Sequence, residues 1–203
     1  MWLPLLDSVP FSASRGGFQS VIVRAVDPSY SPVLDLDLRT QPVTAAELLE
    51  IARAHLQADA ALETRCFWDL WVYDLAESQW KLAPQPLEIF CYSEEYDSGA
   101  FTQNGHFMGD LGFEHLFTGH AGLLASRGEE LPRPQDSVEA RFLDRMKQAV
   151  QLHEYHKRTR ENIRRLQEWM QRLQRTDGVK RLLLWSEGEE NFEARLDDVL
   201  ALR

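Results

Sequence analysis

The sequence predicts an α+β fold: a single domain with an antiparallel sheet, helices packed mainly on one face, and a long helix near the C-terminus. Three observations carry this expectation. Short apolar runs, alternating or dense in aromatics, recur between positions 19 and 92, as strands do. A well-signalled helix start interrupts them at Thr44. No glycine or proline then occurs between Pro134 and Gly178, which leaves room for one long helix. At 203 residues, 44% apolar and 27% charged, the chain has the composition of a globular protein with one full core. No internal repeat or long linker divides it, so 1–203 reads as one domain.

The opening residues lack a basic n-region and are interrupted by Pro4 and Asp7, unlike a secretory signal. No stretch approaches the ~18 apolar residues of a membrane span. Residues 19–26 read as a strand, Asp27, Pro28 and Pro32 frame a turn, and 33–38 alternate strictly. That alternation sends Leu34, Leu36 and Leu38 to the core and Asp35 and Asp37 to water. At the next helix, Thr44 and Glu47 have the spacing of a capping box, with Leu48, Ile51, Ala52 and Leu56 as the buried stripe. Residues 65–75 give the strongest strand signal. A polar turn leads to a short strand at Trp80, Pro84 and Pro86 break the run, and 87–92 form a further strand. Trp68, Trp71, Tyr73 and Trp80 read as cross-strand pairs that stabilise a hairpin, or as a stacking surface for a ligand. Cys66 and Cys91 lie in apolar runs and read as buried thiols of a reducing, cytoplasmic protein.

Residues 93–136 form a glycine- and histidine-rich connection. Positions 99–128 hold 7 of the 11 glycines and 3 of the 6 histidines. His106, Asp110, His115 and His120 are the candidate ligands of a zinc or iron site, and Glu114, His115 and His120 the candidate acid–base groups. Their spacing matches no established metal signature, and hydrogen bonding of the histidines to backbone is the simpler account. Residues 111–124 read as a glycine-interrupted helix. From 137 to 175 the apolar positions follow a 3–4 spacing, with Asp136 as the cap. An unbroken helix of that length spans ~58 Å, against a radius of gyration near ~17 Å for a domain of this size. It must therefore kink, protrude or meet another chain. With no proline to kink it, a partner chain is expected. Residues 179–185 read as a strand joining the sheet, followed by a last amphipathic helix.

The formal net charge of −10 is unevenly spread. Residues 1–136 carry 8 basic and 20 acidic side chains, while 137–175 carry 10 basic and 5 acidic. An acidic body disfavours duplex nucleic acid, and the basic segment neutralises the chain's own acids. The nucleophile-elbow, phosphate-loop and dinucleotide glycine motifs are absent. The leading expectation is a protein-interaction or regulatory module that homodimerises through 137–175, with Met146, His153, His156, Ile163, Trp169 and Met170 at the interface. A metal-dependent hydrolytic enzyme using the 106–120 cluster is the alternative. A small-ligand binder that joins the strand aromatics to the glycine-rich segment is the second.

Overall fold

The computed structural model describes residues 2–99, 101–112, 114–119, 137–188 and 190–201. In chain order its elements are α1 (Trp2–Asp7), β1 (Ser20–Ala25), β2 (Leu34–Asp37), α2 (Ala45–Ala52), β3 (Ala60–Asp74) and β4 (Gln79–Tyr92). Then come α3 (Phe101–Asn104), β5 (Phe107–Asp110), α4 (His115–Thr118), α5 (Ser137–Met146), α6 (Ala149–Arg175) and α7 (Phe192–Ala201). The strands form one five-stranded antiparallel sheet in the order β2-β1-β3-β4-β5. The α+β class is therefore as predicted, long helix included. By backbone contacts the chain groups into two compact units. One comprises Met1–Asp69, Pro84–Gly112 and Arg172–Lys180; the other comprises Leu70–Ala83, Phe113–Gln171 and Arg181–Arg203.

In the first unit β1 pairs with β2 from Ser20↔Asp37 to Val23↔Leu34, and with β3 from Ile22↔Glu63 to Ala25↔Ala60. Val21 and Val23 are fully buried. The capping box at α2 forms as its spacing predicts. The Thr44 hydroxyl accepts from the Glu47 N–H at 3.3 Å, and the Glu47 carboxylate accepts from the Thr44 N–H at 2.8 Å. The Thr44 N–H, and with it the Thr44 hydroxyl, donates to the Glu47 carboxylate and holds it below the usual carboxylate range. α2 packs on β1, and α1 packs on α2. Pro4 sits in the first turn of α1, where its missing N–H has no intrahelical partner to lose.

Two strand expectations need correction here. Leu36, expected in the core, is 41% exposed, because β2 is the edge strand and only β1 lies beside it. β4 runs unbroken through Pro84 and Pro86. Tyr92 donates its N–H to His106 O (3.1 Å) on the β5 side, and Pro84 and Pro86 share the parity of Tyr92. β5 pairs only with Glu88 to Cys91, so the two missing N–H groups remove no ladder bond from that stretch. Cys66 and Cys91 are free and buried, as expected. Burial pushes the Cys66 thiol up to about 12.

In the second unit α4 packs against α7, and Leu143, Met146, Ile163 and Leu166 are buried. The helix expected from 137 to 175 is broken at Lys147 and Gln148 into α5 and α6. Neither residue is a helix breaker. Of the three ways to accommodate its length, the chain interrupts the helix, and Leu143 and Met146 in the turn before the break are buried. Residues 179–185 join no ladder and form no strand, contrary to expectation. The helix expected over 111–124 is a single turn, α4, within the described residues; its C-terminal part, and the Asp136 cap, lie outside them.

Candidate ligand cleft

The far half of the β3–β4 hairpin carries the aromatic cluster. Tyr73 meets Trp80 edge-on at 5.3 Å, and both are drawn into the helices: Tyr73 to Phe142 (6.1 Å) and Trp80 to Tyr155 (5.9 Å). Arg158 stacks 3.7 Å above the Trp71 ring. Tyr73 and Trp80 thus pair across the hairpin as the cross-strand reading expects, and the Trp71 ring carries Arg158.

The acid–base and metal candidates are dispersed. Glu114 precedes α4, and its carboxylate accepts a hydrogen bond from the Ser186 hydroxyl. A Cβ on Gly188 would lie 3.0 Å from both Glu114 carboxylate oxygens, so glycine there lets the backbone approach the acid. Glu114 thus anchors the 186–188 turn. His115 is exposed, and His120 lies outside the described residues. His106 and Asp110 bracket β5 at opposite ends. Four residue steps along the strand set them ~13 Å apart, too far to share one ion. Asp110 accepts the Gly112 N–H at 2.8 Å. No group of three metal-ligating side chains occurs among the described residues. Of the predicted interface residues, Met146, Ile163 and Trp169 are buried, His156 and Met170 are half-buried, and only His153 is exposed.

One sequence candidate does line a cleft. In the first unit an open cleft of about 770 Å³ lies among α1, α2, the end of β4 and the start of β5. Trp2, Leu3, Leu49 and Leu56 supply an apolar wall, and Glu94, Glu95 and His106 supply polar groups. Backbone bonds from Ser93 to Ala60 O and from Glu95 to Ala58 O, both 3.0 Å, fix the acidic turn. The chain then reverses through three consecutive left-handed residues, Asp97 (φ 46°), Ser98 (φ 55°) and Gly99 (φ 89°). Such backbone costs about 1–3 kcal/mol per non-glycine residue and persists only where its surroundings impose it. Here Val26, itself at φ 71°, accepts the Asp97 N–H at 2.7 Å and donates to Asp59 O at 2.8 Å. The reversal returns His106 to the cleft. Its Nδ1 lies 3.3 Å from Tyr92 O, and its ring stacks on Phe101 at 4.5 Å.

The electrostatics of the cleft are one-sided. Arg53 is paired with Glu50 at 3.3 Å, while Glu94 and Glu95 are exposed and form no ion pair among the described residues. The neighbouring Tyr92 phenol is pushed up to about 12, by burial first and by the Glu63 carboxylate second. It therefore stays neutral and adds no charge. The sequence signalled only His106 of this set. Trp2, Leu3, Glu94 and Glu95 carry no motif, and α1 reaches α2 across forty residues of chain. No family model, curated protein or solved structure matches the chain. Among the described residues no helix is long and apolar enough to cross a membrane.

Proposed function

We propose that the protein is a recognition module whose cleft takes an organic cation with an apolar body. The observation that carries this reading is the pairing, in one cleft, of an apolar wall at Trp2, Leu3, Leu49 and Leu56 with two uncompensated carboxylates at Glu94 and Glu95. A concave, mostly apolar site with a few polar groups is the usual form of a small-ligand pocket. Acidic groups at its rim select cations over anions, and Trp2 in the lining is the ring type that attracts ammonium and guanidinium groups most strongly. His106 brings the glycine-rich segment into the same lining.

Calorimetric titration with phenethylamine and, as the matched anion, phenylacetate tests the reading. The amine should bind and the carboxylate should not. Replacing Glu94 and Glu95 together by Gln should weaken amine binding by about tenfold, since 1.4 kcal/mol is one decade in affinity. Equal binding of both probes, or binding indifferent to the two glutamates, would overturn it.

A further inference from the structure

Residues 181–187 belong to no helix and no strand, and no backbone hydrogen bond joins them to any described residue. Their exposure nevertheless alternates. Arg181, Leu183, Trp185 and Glu187 are exposed, whereas Leu182, Leu184 and Ser186 are half-buried. A two-residue period is that of extended chain. Leu183 is 56% and Trp185 62% exposed, although both are residues that buried or paired positions favour. Ser186 is tied to Glu114 at one end. The segment thus has the exposure period of a strand and no ladder.

Its charges say what completes it. A basic residue, Arg181, stands at one end of the open face and an acidic residue, Glu187, at the other. We propose that two copies of the chain pair through 181–187 as antiparallel strands about a two-fold axis at Leu184. A two-fold normal to the paired strands keeps both open faces on one side. With Leu184 opposite its own copy, Arg181 meets the partner's Glu187 and Leu183 meets the partner's Trp185. Every exposed residue then gains a complementary neighbour, and the unpaired backbone gains its ladder. Self-association thereby rests on this segment, while Met146, Ile163 and Trp169 of the helices are used within the chain. A strand pair of this length buries less than a standard interface, so the dimer is weak and concentration-dependent.

Sedimentation velocity of the full chain over a wide concentration range tests this. The wild type should shift from monomer to dimer as concentration rises. Arg181→Glu and Glu187→Arg should each weaken association by about tenfold, because each places like charges opposite one another twice. The double variant R181E/E187R should restore it. A wild type that stays monomeric throughout, single variants that dimerise as the wild type does, or a double variant no tighter than the singles would overturn the proposal.

Discussion

Strand β3 is bonded differently in its two halves. In the first unit its carbonyls at Arg65 and Phe67 accept from the backbone N–H groups of Gln19 (2.7 Å) and Ser12 (2.6 Å), and the Arg65 N–H alone of these groups goes to a side chain, the Ser20 hydroxyl at 3.0 Å. In the second unit Trp71 is bonded by a side chain. The Asn162 carboxamide accepts the Trp71 N–H at 2.8 Å and donates to Trp71 O at 3.0 Å, so it mimics one peptide group of a neighbouring strand. Its second N–H reaches Leu116 O at 3.1 Å, and Asn162 itself is buried. Where main chain closes a ladder, any sequence that keeps the strand keeps the bonds. Where one carboxamide does it, three backbone groups depend on a single residue type.

The two halves should differ most between Asn162→Ala and Thr64→Val. The first strands three backbone groups together and should lower unfolding stability by about 3 kcal/mol, even after the better helix propensity of alanine. Thr64 donates its hydroxyl to Ser20 O at 2.6 Å, a single side-chain bond, so T64V should lose only about 1 kcal/mol. Chemical denaturation measures both, and equal losses would show that the two halves do not differ in this respect.

The Tyr73 hydroxyl is buried without a partner, whereas the buried Thr64 hydroxyl of the near half has Ser20 O as its acceptor. Tyr73→Phe should therefore leave stability unchanged or raise it by up to about 1 kcal/mol. A loss above that size would reveal an acceptor for the hydroxyl.

The smallest effect concerns the hairpin turn. Asp74 takes a hydrogen bond from the Lys81 ammonium, which is the main reason its carboxyl lies below the usual range, helped by the Glu77 and Ala76 N–H groups. A depressed folded-state value gives stability that is fully present above the ordinary carboxylate range and is lost as pH falls through the lowered value. Melting temperatures followed down through that window should fall less steeply for Asp74→Asn than for the wild type.

Legibility followed sequence distance. The capping box needed Thr44 and Glu47 only three residues apart, and the local pattern showed it. The strands of 19–26 and 65–75 and the burial of both cysteines were equally readable, because alternation and apolar density are local signals. The prolines of β4 misled because their tolerance depends on where β5 begins to pair. The cleft was legible only at His106, since its walls come from four separate stretches of chain.

Local residue patterns therefore suffice for the α+β class, the start of α2, the hairpin aromatics and the presence of a long helical region. Each follows from propensity or periodicity within a window of a few turns. Tertiary structure alone decided that Asn162, 91 residues from Trp71, completes a strand, that the long helix breaks at Lys147, and that 181–187 stays out of the sheet. It alone also gathered Trp2, Glu94 and His106 around one cleft. Those outcomes turn on which buried polar groups find partners and which apolar faces meet, and such contacts are set by the whole packing rather than by neighbours in sequence.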